Sequence, residues 1–541
     1  MYARFFRWAS DRMHDDGVLA FVTNRSFIDS RTFDGFRKAV AEEFNEIYVV
    51  DLGGDVRVNP KLSGTKHNVF GIQTGVAISF LVKRRKEKGC KIFYTRRPEF
   101  DTASDKLSFL GSSKLAAITF DRIEPDKRAN WINLAENNWD QLIPVAEKKT
   151  KTAKTTGQER AIFRLFSLGV VTSRDEWLYT FSSKQLHAQV EYYTTHFNQT
   201  LSTSDPNFNT RNADDVIKWT RSLRERWHTK KAIAPRELSF VTANYRPFTK
   251  KHFCFSRALA ETVYQIPQVF LDGNERTPCI TLMGDSSGKP YFSLAIDRIP
   301  DLNFVSPASG GSQTLPLYRY AATGERVDNI TDWGLRQFEK HYGKAKQITK
   351  EDIFHYVYAV LHDPVYREKY ALNLKREFPR IPFYPDFRCW ADWGKRLMEL
   401  HVGYELVEPW AITRSDLPDE NARAAGVGPK PILKADPDNG MIRIDSETTV
   451  SGIPPVAFTY RLGNRSGLEW ILDQYKEKTP KDPTIREKFN TYRFADYKEK
   501  VIDLIARVTR VSVETMEIVE AMKLAKRTAS PTDITHEAPK N

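Results

Sequence analysis

The sequence predicts an α/β protein in which an incomplete doubly wound sheet is followed by a mixed α/β domain. Two short, continuously apolar segments near the start, residues 18–23 and 47–52, are typical of strands buried in a parallel sheet. Each is preceded by a segment with apolar residues at helical spacing, over residues 2–16 and 31–44. This order of helix, strand, helix and strand favours a parallel sheet covered by helices.

The first helix is predicted over residues 2–16, with Gly17 as its C-terminal cap. Its apolar residues at helical spacing are Tyr2, Phe5, Phe6, Ala9 and Met13. The strand that follows, residues 18–23, has no polar residue before Thr23, so we expect it to be buried on both faces.

The sheet is then expected to continue with a β-hairpin. Residues 76–82 and 91–94 are strand-like and flank a charged turn at residues 83–89, which predicts two antiparallel neighbours. A doubly wound domain needs about five to seven strands. Only the last few are recognisable here, so we expect the sheet to begin in the middle of its fold.

The rest of the chain reads as a linker, a mixed domain and a tail. Residues 126–160 are predicted to be a linker, because the stretch 146–158 is polar, basic and without periodicity. A mixed α/β region is expected over residues 161–525, including a helix that ends before Asp363 and a helical pair over 497–523 split at Ser512 as an N-cap. Residues 526–541 are polar and expected to be disordered.

The composition bounds the class of protein. Lys and Arg exceed Asp and Glu by 13, and the isoelectric point is about 9.3. This excess favours polyanionic partners, although a basic protein without a nucleic-acid role is equally compatible with it. Four scattered cysteines without a Cys-x-x-Cys pair argue against a zinc ribbon, a redox motif or a disulfide framework. With no long apolar run and no signal peptide, we expect a soluble bacterial cytoplasmic protein without a metal site or a membrane partner.

Five short segments stand in a distinctive order near the start. They are MYARFFRWA at 1–9, GVLAFVTN at 17–24, FR at 36–37, VFGI at 69–72 and GVAI at 75–78. In type, order and spacing they resemble the later motifs of the gamma-class adenine-N6 DNA methyltransferases. The resemblance covers about residues 1–95 and implies that residues 1–125 are the C-terminal half of such a methyltransferase domain.

The resemblance implies roles for two aromatic residues. Phe5 matches the aromatic that packs against the adenine of S-adenosylmethionine, and Phe70 matches the aromatic that stacks on the flipped target adenine. On periodicity alone, however, Phe5 is a core residue of the first helix. The Gly-rich cofactor turn and the Asn/Asp-Pro-Pro-aromatic catalytic motif of the family do not occur in the sequence. We therefore assign no catalytic residue and expect S-adenosylmethionine only in a complete enzyme.

A second set of segments follows in the later part of the chain. They are NYRPFTK at 244–250, IPDLN at 299–303, LPLYRY at 315–320, the run 352–383, and LHVGYE at 400–405. These look like the C-terminal specificity region of type ISP restriction–modification enzymes, which implies a target-recognition region over residues 161–525. Full-length members resemble a nuclease, a helicase-like motor, a methyltransferase and this region in one polypeptide. An upstream polypeptide would then carry the missing parts.

The resemblance implies sequence-specific binding of double-stranded DNA, coupled in the complete enzyme to adenine-N6 methylation and DNA cleavage. Arg246, Lys250, Lys251 and Arg257 lie within one aromatic-rich stretch and are our first candidates for DNA contacts, with ordinary surface charge as the alternative for each. Two other interpretations of the whole chain stay open. One is a stand-alone DNA-binding specificity subunit that needs a partner polypeptide, and the other is an inactive gene remnant.

Overall fold

The computed structural model describes residues 2–55, 66–132, 137–153, 156–203, 216–284, 290–305 and 311–528. The chain divides into two compact units, residues 1–137 and 138–541. The predicted α/β class is confirmed, because helices and several sheets alternate along both units. Most of the predicted tail, residues 529–541, lies outside the described residues, as do 133–136 and 154–155 of the predicted linker. The domain bounds drawn from the sequence stay predictions.

The first unit holds three α-helices and five strands within its described residues. The helices are α1 Tyr2–Ser10, α2 Asp34–Glu43 and α3 Ala103–Ser112. The strands are β1 Gly17–Asn24, β2 Glu46–Gly53, β3 Val76–Lys83, β4 Lys91–Arg96 and β5 Asp121–Ile123. The predicted helix over 2–16 therefore ends earlier, at Ser10.

The strands form one sheet in the order β1-β3-β2-β4-β5. β3 is antiparallel to both β1 and β2, whereas β2 and β4 are parallel. The predicted hairpin of β3 and β4 is therefore wrong, because β2 lies between them. Asn45, just before β2, explains the arrangement: its side-chain amide donates to the carbonyls of Glu87 (2.9 Å) and Gly89 (3.3 Å), and its side-chain oxygen accepts from the Arg84 amide (2.7 Å). These bonds hold the turn across the start of β2.

β1 differs from its predicted burial. One face, with Leu19 and Phe21, packs against the first core, whereas Val18, Ala20 and Val22 on the other face are exposed. The expectation of a strand buried on both faces is therefore wrong within the described part of the chain. A continuous apolar run cannot reveal which face meets the core, because side chains alternate between faces whatever their polarity.

The second unit contains many short elements. Its strands are β6 Ile143–Pro144, β7 Ser167–Leu168, β8 Tyr179–Thr180, β9 Ser239–Arg246, β10 Thr249–Phe255, β11 Cys279–Met283, β12 Ser293–Ile296, β13 Ser312–Pro316, β14 Tyr318–Tyr320, β15 Arg326–Asp328, β16 Arg380–Ile381, β17 Thr413–Asp416, β18 Pro431–Asp436, β19 Met441–Asp445, β20 Thr448–Ser451, β21 Arg461–Leu462 and β22 Arg465–Ser466. Its α-helices are α4 Lys148–Thr152, α5 Asp175–Leu178, α6 Ser183–Thr200, α7 Arg221–His228, α8 Asp332–Tyr342, α9 Lys350–Val360, α10 Pro364–Lys369, α11 Ala371–Leu374, α12 Phe387–Val402, α13 Glu420–Ala424, α14 Gly467–Tyr475, α15 Pro483–Lys488 and α16 Lys498–Leu524.

Three of the sheets in the described part of this unit have three or four strands, all antiparallel, in the orders β8-β10-β9, β12-β11-β13-β7 and β17-β20-β19-β18. β6, which falls inside the predicted linker, pairs with β16. Helices α9 and α12 pack so closely that a Cβ atom on Gly394 would lie 1.8 Å from the His355 carbonyl oxygen. Glycine is therefore required where these two helices meet.

The last helix corrects another prediction. α16 is one continuous helix from Lys498 to Leu524, not a pair split at Ser512. Ser512 is fully buried between Val511 and Val513, both of which belong to the core of this unit. The burial of these β-branched side chains outweighs their lower intrinsic helix propensity.

No helix in the described part of the chain is long and apolar enough to span a membrane.

Three hydrogen-bonded polar side chains are buried in a row within this second unit. The Tyr358 hydroxyl and His401 Nδ1 are 2.5 Å apart, and His401 Nε2 and the Thr515 hydroxyl are 2.9 Å apart. Burial, together with the nearby charge of Arg367, lowers the pKa of His401 to about 3. The folded protein therefore holds this imidazole neutral over the physiological pH range.

This neutral imidazole predicts a loss of stability in acid. Because the pKa of His401 is below its ordinary value only in the folded state, the unfolded chain takes up the proton first. The stabilisation is complete above about pH 6.5 and falls by up to about 1.4 kcal/mol per pH unit below it. We expect His401→Gln, which cannot titrate, to flatten the pH dependence of the unfolding free energy measured by urea denaturation between about pH 7.5 and 5.5.

The control is His228→Gln, because His228 is exposed at the end of α7. This variant should keep the pH dependence of the wild type. Identical slopes for wild type and His401→Gln would contradict the prediction.

Candidate nucleic-acid interface

A buried ion-pair network joins the ends of three strands that run in the same direction. Arg25 directly follows β1, Asp51 lies near the end of β2, and Tyr94 lies in β4. The Arg25 guanidinium contacts the Asp51 carboxylate at 2.8 Å, and the Tyr94 hydroxyl donates to the same carboxylate at 2.8 Å. The backbone amide of Gly53 donates to it as well, at 2.9 Å. Since Asp51 is fully buried, these donors offset the cost of burying its charge.

The loop that carries Phe70 is attached to this edge of the sheet. The backbone amide of Arg25 donates to the Gly75 carbonyl (3.0 Å), and a Cβ atom on Gly75 would lie 2.4 Å from the Arg25 side chain. Gly75 therefore permits the close approach of loop and ion pair. Because ligands of α/β sheets bind outside the carboxyl ends of parallel strands, this edge is the expected place for a binding site.

Asn68 organises the loop from within. This buried side chain accepts hydrogen bonds from the amides of Phe70 (2.9 Å) and Ile72 (3.4 Å) and donates to the Thr74 carbonyl (2.7 Å). Gly71, at φ +64°, adopts the left-handed conformation that the turn requires. The Phe70 ring is left 61% exposed. An aromatic side chain held outward by a fixed backbone offers a stacking surface.

Phe5 is also directed away from the core. Its neighbour Phe6 is the core residue of α1 and packs against Phe21 (4.7 Å) and Phe36 (5.1 Å). Phe5 is 57% exposed, so the expectation from periodicity that it packs in the core is wrong. Tyr2 stacks on Phe33 at 5.2 Å and meets Phe27, three residues beyond β1, edge-on at 6.5 Å, which places the first turn of α1 near the carboxyl end of β1. The roles of Phe5 and Phe70 toward the cofactor and the target base stay predictions.

Arg246, at the end of β9, is held in a largely buried ion pair. Its guanidinium contacts Asp301 at 2.7 Å and lies 3.9 Å from the ring centre of Tyr245. A second carboxylate, Asp175, is 3.8 Å away. These contacts occupy the side chain with partners inside the protein.

Lys250 and Lys251 point to opposite sides of β10, as successive strand residues must. Lys250 forms an ion pair with Glu405 at 2.7 Å. The ammonium of Lys251 lies over the rings of Phe181 (4.7 Å) and Tyr245 (4.2 Å). Burial and the nearby charge of Arg246 lower the pKa of Lys251 to about 7.

Arg257 differs from the other three candidates. It is exposed in the turn after β10 and forms no ion pair or side-chain hydrogen bond with any described residue. Of the four basic residues proposed from the sequence, it is therefore the one that is exposed and has neither an ion pair nor a side-chain hydrogen bond within the described part of the chain. DNA contact by any of the four stays a prediction.

Comparison with known proteins identifies the family of the chain. Residues 161–504 match the family described as the Type ISP C-terminal specificity domain. The chain belongs to the Type ISP restriction–modification family. The resemblance to the Type ISP restriction–modification enzymes is thereby confirmed, whereas the resemblance of residues 1–95 to adenine-N6 methyltransferases stays a prediction. Among curated proteins, no match to the Type ISP chain was found.

Three solved structures resemble the Type ISP chain over nearly its whole length. A DrdV–DNA complex solved by cryo-EM is 47% identical, has a TM-score of 0.89, and is matched over 96% of this chain and 52% of its own. The ATP-dependent Type ISP enzyme LlaBIII bound to DNA is 28% identical, with a TM-score of 0.82 and coverage of 97% and 34%. A nuclease-deletion mutant of the Type ISP enzyme LlaGI, in complex with a DNA substrate mimic, is 28% identical, with a TM-score of 0.80 and coverage of 97% and 41%. The chain thus spans from about a third to about half of the length of these proteins.

Sequence reasoning missed the residues that hold the site in place. Asn68 carries a signal that was available, because asparagine side chains commonly bond to the backbone two residues further on. The pair of Arg25 and Asp51 carries no such signal, since its partners are 26 positions apart. Only the sheet brings them together.

The buried pair predicts a structural role for Arg246. In Arg246→Met, Asp301 would be left buried without its charged partner, so we expect the unfolding free energy of the second unit to fall by about 3–5 kcal/mol. Chemical denaturation followed by tryptophan fluorescence measures this loss. Arg257→Met is the matched control, because the same change at an exposed site should alter stability by less than about 0.5 kcal/mol. Equal stabilities of the two variants would refute this role.

Proposed function

We propose that this chain is the sequence-specific DNA recognition part of a restriction–modification enzyme. In the complete enzyme it directs adenine-N6 methylation by S-adenosylmethionine and the coupled cleavage of DNA. The observation that carries the proposal is the match to the specificity domain, together with the DNA-bound state of the solved relatives. The net charge of +13 supports a polyanionic partner.

The first unit supports the methylation part of the proposal. S-adenosylmethionine, when bound, supplies an electrophilic methyl group. The exposed ring of Phe5 fits the adenine of this cofactor, and the exposed ring of Phe70 fits a target base that has lost its stacking partners in the duplex. The sequence contains neither the Gly-rich turn nor the catalytic Asn/Asp-Pro-Pro-aromatic motif. We therefore assign to this chain one wall of the pocket and to a further polypeptide segment the catalytic motif.

The absence of these motifs from the sequence also favours a second candidate function. A specificity subunit would bind its DNA site alone and acquire methyltransferase activity only with a partner polypeptide. A methylation assay with labelled S-adenosylmethionine, with and without a polypeptide carrying both motifs, tests the second candidate, because activity that appears only on mixing favours the specificity subunit. Activity of this chain alone would overturn the assignment of catalysis to another segment, and failure to retain any duplex above salt-sensitive nonspecific binding would favour an inactive remnant.

DNA binding should depend on Arg257. A bound sequence is first selected from a random duplex library. We then expect Arg257→Ala to weaken binding and to reduce the slope of log K against log salt concentration by the amount that corresponds to about one phosphate contact. Fluorescence anisotropy at several salt concentrations measures both effects. The control is Arg236→Ala, an exposed arginine that precedes β9. An unchanged affinity and salt slope for Arg257→Ala would remove this residue from the interface.

Base stacking should depend on Phe70. In the reconstituted methylation assay we expect Phe70→Ala to lower the rate by about 10–100-fold, since stacking on an aromatic ring contributes about 1–3 kcal/mol per base. With 2-aminopurine at the target position, loss of the ring should raise the fluorescence of the flipped base. Ile72→Ala is the matched control, because it removes an exposed apolar side chain from the same loop without removing a ring. Equal effects of the two substitutions would contradict a stacking role.

A further inference from the structure

The second unit contains a pocket of about 450 Å³ beside β8 and β10. Its walls come from the start of α6, from β10 and from residues 474–497. Aromatic side chains dominate the apolar part of its lining: Phe181, Tyr245, Phe489, Tyr492 and Tyr497. Three of these rings are arranged closely, with Phe181 5.5 Å from both Tyr492 and Tyr497. The volume lies within the range of about 300–1,000 Å³ typical of small-molecule sites.

Two hydrogen-bond donors in the lining have no partner among the residues that the structure describes. The ammonium of Lys251 makes no hydrogen bond or ion pair with any described residue and lies over the rings of Phe181 and Tyr245. Lys251 is half-buried, whereas the hydroxyl of Tyr179 is buried and has no hydrogen-bond partner in the described part of the chain. Buried polar groups are rarely left unpaired, because each costs the free energy of its lost hydration. A ligand with acceptor oxygens would satisfy both groups.

The carboxylates of the inner lining already have donors. Asp175 accepts from the Tyr245 hydroxyl at 3.0 Å and from the Thr172 hydroxyl. Glu176 accepts from the backbone amides of Lys481 (3.0 Å) and Asp482 (2.9 Å). Each of these carboxylates thus has other donors, and neither forms an ion pair with Lys251 within the described residues.

The outer lining carries exposed charges of both signs. Lys476, Lys478 and Asp496 are exposed there, and Lys478 lies 3.5 Å from Asp473. Desolvation lowers the pKa of Lys251 to about 7, and a bound anion would restore its charge.

We propose that this pocket binds a nucleotide, with the phosphate accepting hydrogen bonds from Lys251 and Tyr179 and the planar base lying among the aromatic side chains. Stacking on aromatic rings tolerates any base, because every base has a π face. The nucleotide is either a free 5′-mononucleotide or one nucleotide extruded from a DNA strand. The second source rests on the proposed DNA-binding function, whereas the first does not.

Calorimetric titration of the full chain with 5′-AMP, adenosine and inorganic phosphate tests the pocket. We expect 5′-AMP to bind more tightly than either fragment. Tyr179→Phe and Lys251→Met should each weaken its binding by about tenfold or more, as expected for loss of a hydrogen bond to a charged group. Lys434→Met, at an exposed position of β18, makes the same change in charge outside the pocket and should bind as the wild type does.

The outcomes separate the parts of the proposal. The proposal is overturned if 5′-AMP does not bind at millimolar concentration, or if Tyr179→Phe binds it with wild-type affinity. If thermal unfolding shows that Lys251→Met is misfolded, the result for Tyr179→Phe alone tests the proposal. Equal affinity for phosphate and 5′-AMP overturns recognition of the base. Competition of 5′-AMP with a duplex containing one unpaired adenine assigns the site to a DNA nucleotide, and its absence assigns it to the free nucleotide. Since 5′-AMP titration needs no duplex, failure of this inference is distinct from failure of DNA recognition.

Discussion

The buried ion pair between Arg25 and Asp51 is the interaction on which the candidate site of the first unit depends. It links the residue after β1 to the end of β2, with the Tyr94 hydroxyl as a further donor from β4. The backbone of Arg25 also holds the Gly75 carbonyl, and with it the loop that exposes Phe70. A buried charge without its partner is strongly destabilising, so this pair keeps a single arrangement of the strand ends. The exposed ring of Phe70 is thus positioned by an ion pair that is itself almost completely buried.

Burial of charge also organises the second unit. Arg246 and Lys251 lie in an aromatic-rich stretch that suggested a DNA-binding patch, yet Asp301 and aromatic faces enclose them. The same stretch leaves Arg257 outside. Desolvation therefore separates these basic residues into three kinds: a structural ion pair, a donor facing a pocket, and a surface charge available to a phosphate. A count of basic residues cannot distinguish among them.

The sequence-based predictions were correct where neighbouring residues determine the structure, and wrong where contacts between distant residues determine it. β1, β2 and β3 and the helix that ends before Asp363 were placed correctly to within a few residues, because local periodicity determines them. The pairing of β3 with β4 and the break at Ser512 were wrong. In both cases a distant contact decided the outcome: Asn45 holds the turn across β2, and the core covers Ser512.

The sequence by itself determined the α/β class and, through the order of its motifs, the Type ISP family. These follow from local patterns, which depend only on neighbouring residues. The tertiary structure alone decided which side of each strand meets the core, and hence that Phe6 is buried while Phe5 is exposed. It also paired Arg246 with Asp301, which lies 55 positions away along the chain. The physical reason is that burial and ion pairing are set by distances in space, and these exist only once the sheets have formed.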